Sequence, residues 1–208
     1  MVQSPTHTMT RLLLIRHGHN DWADKKLAGR LPGVHLNEHG LQQAQELIER
    51  LATLKIAAIY SSPLERTIET AQPLAKARGL RIFRMHGLIE VNYGEWTGKS
   101  LKVLSQKKEW RIVQIAPSAF RFPEGESLRE MQHRAVATVE KIALAHPKET
   151  VALFSHGDVI KSIVAHFSGI ALDNFQRIGI GTASVSVIDL GPFGARINRL
   201  NDTGPLKS

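Results

Sequence analysis

Three short apolar runs in this chain each end at turn residues that lead, through a basic side chain, into a helical pattern. Residues 12–15 stop at Arg16-His17-Gly18, residues 56–60 run into Ser61-Ser62-Pro63 and then Arg66, and residues 151–154 stop at Ser155-His156-Gly157. Runs of this length bounded by turn signals read as buried strands of a parallel α/β sheet. Ligands of such sheets sit outside the carboxyl ends of the strands. Two arginines and two histidines are therefore expected at one sheet edge, a set of groups suited to a phosphate.

The rest of the chain agrees with a single α/β domain. Its 208 residues are 42% hydrophobic and 22% charged, ample for one core, and we place that domain at 10–200 with flexible tails at 1–9 and 201–208. No stretch reaches the ~18 apolar residues of a membrane span. The polar start without a signal-like apolar region points to the cytoplasm. The absence of cysteine excludes disulfides, thiolate nucleophiles and Cys-based zinc sites. A net charge of +8 would draw anionic partners. The basic residues are scattered, however, with no RNP-like motif or basic helical stripe, so a small phosphorylated metabolite explains the charge and nucleic acid is not expected. The oligomeric state is open.

Leu41, Ala44, Leu47, Ile48 and Leu51 recur at helical spacing, which predicts a helix over 38–53 with Asn37 as N-cap. Ser62 to Glu65 has the capping-box pattern and opens a second helix to about Arg78, closed by Gly79 and kinked or shortened by Pro73. A second capping box, Ser127 with Glu130, starts a helix that ends before Pro147. After the strand at 150–155, residues 159–167 form another helix, and strands follow around Val185-Ser186-Val187 and over 195–200. The aromatic and basic stretch 96–123 suits a lid over the strand ends as well as plain helical packing. His35 and His39 stand at i,i+4 spacing, but no acid beyond Glu38 supports a metal site there.

Among the residues at the strand ends, His17 offers an imidazole nucleophile competent near neutral pH, with Gly18 admitting backbone close to it. The guanidinium of Arg66, near a helix N-terminus, can bind two phosphate oxygens at once. His156, if protonated, would donate to phosphoryl oxygens. A pocket of this kind needs an acid for the departing alkoxide, and Glu90 and Glu95 both lie in the string Glu90-Val91-Asn92-Tyr93-Gly94-Glu95-Trp96.

Taken in order, Arg16-His17-Gly18, Ser61-Ser62-Pro63 with Arg66-Thr67, Glu90 with Tyr93-Gly94-Glu95-Trp96, and Ser155-His156-Gly157 resemble the histidine phosphatase superfamily over about residues 11–190. The segments Ala28-Gly29-Arg30-Leu31-Pro32-Gly33 and Pro123-Glu124-Gly125-Glu126-Ser127 look like parts of its phosphatase members. The resemblance implies a three-layer α/β/α fold, phosphoglycerate-mutase-like, with a mainly parallel central sheet. It also implies roles: His17 as phosphohistidine, Arg16, Arg66 and His156 as phosphoryl holders, Glu90 rather than Glu95 as acid then base, and no metal or other cofactor. Asn20, Gly29, Arg30, Tyr93 and Gly157 are the further expected substrate contacts. His19-Asn20 and Ala23 depart from the family pattern after the glycine. The expected activity is hydrolysis of a small phosphomonoester. The alternatives are a phosphoglycerate-mutase-type transferase, disfavoured by a short 96–123 segment with unpaired Arg111 and Arg121, and a non-catalytic phospholigand-binding module.

Overall fold

The computed structural model describes residues 9–205. A six-stranded sheet is built from β1 (Thr10–Arg16), β2 (Ile56–Ser61), β3 (Ile82–Arg84), β4 (Thr150–Ser155), β5 (Val185–Gly191) and β6 (Gly194–Asp202). Its order is β3-β2-β4-β1-β5-β6. The neighbours β3, β2, β4 and β1 run parallel, and β5 is antiparallel both to β1 and to β6.

The central position of β1 follows from its sequence. Leu12, Leu13, Leu14 and Ile15 have no exposed surface, because successive side chains point to opposite faces and both faces are covered. Leu12 and Leu14 join one cluster with Val139, Ile142, Val159 and Ile163. Leu13 and Ile15 join another with Leu47, Leu51, Ala71 and Leu74. Helices α1 (Glu38–Arg50) and α2 (Glu65–Arg78) thus cover one face, while α5 (Leu128–Ala145) and α6 (Gly157–Phe167) cover the other. The expected three-layer fold is the observed one.

Local chemistry sets most element ends. Asn37 caps α1 through its side-chain oxygen, which accepts from the Gly40 N–H, and the Ser127–Glu130 box at α5 is formed in both directions. The box expected at Ser62 is not. There α2 starts at Glu65 behind Leu64, with no side-chain cap, because the Ser62 hydroxyl is engaged with His156. Pro73 does not shorten α2, which runs to Arg78 and ends at Gly79 in the left-handed region. Helix α1 stops at Arg50 rather than 53. His35 lies ahead of α1 and pairs with Glu69, so it and His39 do not share a helix.

The C-terminal boundary also shifts. Strand β6 continues to Asp202, and Arg50 donates to the carbonyls of Asp202 (2.8 Å) and Gly204 (3.2 Å). The expected tail therefore cannot begin at 201; residues 1–8 and 206–208 lie outside the described residues.

The segment 96–123 carries two short helices, α3 (Leu101–Leu104) and α4 (Lys108–Ile115). Trp96, Phe120 and Phe122 pack among themselves at 5.0–5.4 Å between centroids, and Trp110 stacks on Trp96 while also lining the hollow at the strand ends. The aromatic side chains of this segment join the core, and one of them walls the hollow. No helix among the described residues is long and apolar enough to cross a membrane.

Candidate active site

Sheet register brings the strand ends level. Arg16 pairs with Ser155 across β1 and β4, and Ser61 pairs with Phe154 across β2 and β4. The residues that follow, His17, Ser62 and His156, therefore emerge at one edge. The loop after β1 lies directly on the start of α1. A Cβ on Gly18 would fall 2.7 Å from the Gly40 carbonyl oxygen, and one on Gly40 would fall 2.0 Å from that of His19. Neither position accommodates a side chain without moving the backbone.

His17 is buried, and its Nδ1 lies 2.8 Å from the Gly18 carbonyl oxygen. A carbonyl only accepts, so Nδ1 carries the proton and Nε2 keeps its lone pair. Burial, followed by the charges of Arg66 and Arg16, holds the imidazole well below its ordinary pKa. His17 is thus neutral near pH 7, the form in which it can attack.

His156 has no exposed surface, and its ring centroid is 5.4 Å from that of His17. Its Nε2 meets the Ser62 hydroxyl at 2.8 Å, and that oxygen also takes the Leu64 N–H at 3.4 Å. The tautomer in which the hydroxyl donates to Nε2 carries the ring proton on Nδ1, 3.8 Å from Glu90 Oε2. Burial and then Arg66 push this histidine well below its ordinary range too. Without a bound anion the ring is neutral, and in that tautomer it can still donate from Nδ1.

Arg66 is buried in the first turn of α2, with one Nη donating to the Gly29 carbonyl at 2.8 Å. Arg16 donates one Nη to the Ile180 carbonyl at 2.7 Å and has Asp24 3.9 Å from the other. In each case one guanidinium nitrogen stays unmatched. Among the described residues, the buried side-chain donors without a partner are Arg16 Nε, Arg66 Nη1 and His156 Nδ1. Buried donors are ordinarily paired, so three orphans on one site mark the place of a ligand rich in acceptors.

Glu90 faces this group. Its Oε1 accepts from the Val91 N–H at 2.9 Å and its Oε2 lies 3.8 Å from His156 Nδ1. Burial first, then the Asp158 charge, outweighs Arg66 and pushes the carboxyl up to about 7. It is thereby poised to give and take a proton at neutral pH.

A hollow of about 280 Å³ opens here, walled by Arg16, His17, Asn20, Arg66, Glu90 and Gly157. The Asn20 side-chain oxygen takes the N–H groups of Trp22 and Ala23, which leaves its amide nitrogen for an anion. Gly157 opens α6, and Arg16 Nε lies only 3.4 Å from where a Cβ there would sit; the helix N-terminus adds positive potential. Gly29 also lines the hollow, as does Tyr93, whose hydroxyl donates to Asp158 at 2.9 Å. Burial and Asp158 raise that phenol well above its usual range. Trp22, Lys26, Trp110, Gln114, Lys161 and Gln176 also line it.

Two of the expected site residues do not line the hollow. His156 is wholly buried, with its ring 5.4 Å from that of His17, and the Arg30 guanidinium is taken by the Glu90 carbonyl and the Glu126 carboxylate. Sequence reasoning also missed Asp158 and Gly40. Asp158 adjoins the Ser-His-Gly string and could have been drawn from it, whereas nothing local marks Gly40.

The assembled groups can neutralise a dianion, attack it in line and protonate what leaves. A family model described as histidine phosphatase superfamily (branch 1) matches residues 12–203. The chain is 31% identical to phosphoserine phosphatase 1 of Hydrogenobacter thermophilus, over 94% of this chain and 93% of that protein. It is 30% identical to the probable phosphoglycerate mutase GpmB of Klebsiella pneumoniae, over 87% and 85%. The solved structure of Bacillus stearothermophilus YhfR superposes with a TM-score of 0.86 at 30% identity, over 93% and 97%.

Proposed function

The chain belongs to the histidine phosphatase superfamily and is a phosphatase of a small phosphorylated metabolite, and we propose that it passes the phosphoryl group first to His17 and then to water. In the first step His17 Nε2 attacks phosphorus, the ester P–O bond breaks, and Glu90 gives its proton to the departing oxygen. In the second step water attacks the phosphohistidine, its proton goes to the Glu90 carboxylate, and the P–N bond breaks to release inorganic phosphate. Arg16, Arg66 and His156 hold the three equatorial oxygens throughout, where preorganised donors act most strongly. Uncatalysed hydrolysis of such esters is so slow that accelerations of up to ~10²¹-fold are known for enzymes of this class. Side-chain cations supply the positive charge, so turnover is expected to survive a chelator. Fixed charge keeps phosphorylated metabolites from crossing membranes unaided, which on this reading places the enzyme in the cytoplasm.

The observation that carries the reading is the set of three buried, unmatched donors beside an imidazole nitrogen with a free lone pair. Rapid acid-free quenching with labelled substrate should trap a phosphoenzyme that is labile in acid and stable in base. His17→Ala should form none, and undiminished turnover in that variant overturns the assignment. Incubation with 3-phosphoglycerate separates hydrolysis, which releases inorganic phosphate, from mutase chemistry, which isomerises the substrate.

A further inference from the structure

Glu90 occupies a stretch that has little regular structure of its own. Residues 86–88 form a single 3-10 turn, residues 94–96 another, and no strand or α-helix lies between Arg84 and Leu101. Among the described residues, the Glu90 side chain hydrogen-bonds only its neighbour's N–H. The placement of its carboxyl is therefore decided by whatever fixes the backbone of 87–92.

Three charged side chains do so. Arg134, on α5, donates from Nη1 to the carbonyls of Gly87 (2.9 Å) and Ile89 (2.7 Å), and from Nη2 to that of Glu90 (3.1 Å). Its Nε and Nη2 also form a bidentate pair with Glu126, at 3.0 and 2.7 Å. Arg30 reaches the same Glu90 carbonyl at 2.9 Å and the same carboxylate oxygen at 2.9 Å. That oxygen further accepts the Asn92 N–H at 2.8 Å. Although burial pushes the Glu126 carboxyl up, the hydrogen bonds and charge of Arg134, with Arg30 beside it, hold it below the ordinary range, so it stays ionised.

Backbone contact tightens the same junction. A Cβ on Gly94 would fall 1.9 Å from the Pro123 carbonyl oxygen, and one on Gly125 would fall 2.4 Å from that of Asn92. The turn at Pro123-Glu124-Gly125-Glu126 is thus pressed against the loop that carries the acid. These residues touch neither the hollow nor the three orphan donors.

We propose that Arg134, Glu126 and Arg30 form a clamp that positions the general acid, by holding the carbonyls of residues 87, 89 and 90 from a distant helix and turn. The proposal rests on the reading of Glu90 as acid. A guanidinium is suited to the task, since its planar fork meets two carbonyls and a carboxylate at once. A displacement of the acid by a fraction of an ångström lowers only the steps in which it moves a proton.

The test is a leaving-group comparison. In Arg134→Met, kcat/KM, which reports the step in which the leaving group departs, should fall about tenfold for an alkyl phosphate and by less than about threefold for an aryl phosphate. Glu126→Gln, nearly isosteric, provides the second variant should Arg134→Met fold poorly. Arg134→Lys should recover part of the alkyl rate. In Glu90→Gln the further change Arg134→Met should have no added effect on the alkyl rate, because the two act as one unit. Equal losses for both substrates, or a lowered melting temperature with both rates intact, overturn the clamp. If Glu90→Gln itself shows no alkyl-selective loss, the acid assignment falls and takes the clamp with it. A selective loss in Glu90→Gln with none in Arg134→Met or Glu126→Gln overturns the clamp alone.

Discussion

On one side of the hollow, His17 and His156 each follow directly from a buried strand, and Arg66 stands in the first turn of α2, so sheet register carries the phosphoryl-holding groups. On the other side, Glu90 sits on a loop fixed by side chains that arrive from residues 30, 126 and 134. The first side is a product of short-range pattern and hydrogen-bonded neighbours. The second needs α5 and the turn before it in place, besides the Ser155 hydroxyl that holds the Leu88 carbonyl at 2.8 Å. The two sides should consequently respond differently to mutation: damage to the first affects every substrate, while damage to the second depends on what leaves.

Loss of Arg66 strikes the first side while leaving the nucleophile in place. Arg66→Ala removes one buried donor with a full charge, and kcat should drop about 10²–10³-fold for alkyl and aryl phosphates alike. Steady-state kinetics on both substrates checks this, with circular dichroism to confirm folding. A loss confined to one leaving group would erase the distinction between the sides.

Glu90→Gln strikes the second side. In kcat/KM, which stops at departure of the leaving group, alkyl phosphates should lose about 10²-fold and aryl phosphates only a few-fold, since aryl oxyanions leave without a proton. The alkaline limb of kcat/KM for alkyl substrates, set by a carboxyl pushed up to about 7 in the free protein, should vanish in the variant. Its persistence would assign that limb to another group.

Gly40→Ala tests the first side through its backbone. The added Cβ would meet the His19 carbonyl oxygen at 2.0 Å, so the His17 loop must shift. We expect about a tenfold loss of kcat for both substrate classes and about 1–3 kcal/mol of destabilisation. An alkyl-selective effect would show that the halves are mechanically joined.

The smallest effect is on stability. Burial raises the Glu90 carboxyl from its ordinary 4.5 to about 7, so the folded state binds this proton more tightly than the unfolded state does. The resulting stabilisation is complete below about 4.5 and is lost as pH rises through about 7. Relative to wild type, Glu90→Gln should gain melting temperature across that interval. A constant difference between the two proteins from pH 4.5 to 8 would contradict it.

The fold and one side of the site were legible because they rest on period and punctuation. Residues 12–15, 56–60 and 151–154 are apolar without interruption and end at turn residues, which reads as covered strands, and their carboxyl ends then place Arg16, His17, Ser62 and His156 together. Caps at Asn37 and Ser127 are local hydrogen bonds and were equally readable. Ser62 was misread for the same reason. Its spacing to Glu65 suits a capping box, but a histidine 94 residues away takes the hydroxyl instead.

Arg30 shows where local information ends. A basic residue in a glycine- and proline-marked loop is a reasonable phosphate contact, yet only packing reveals that the Glu90 carbonyl and Glu126 lie within its reach. The charge states belong to the same category, since burial and the arrangement of neighbours leave His17 and His156 neutral and Glu90 half-protonated near pH 7. Sequence alone determined which groups this protein possesses and which strand ends bear them, because hydrophobic period and turn residues act within a few positions. Tertiary structure decided which donors are left without partners and how the acid is aimed, because desolvation and side-chain reach depend on segments far apart along the chain.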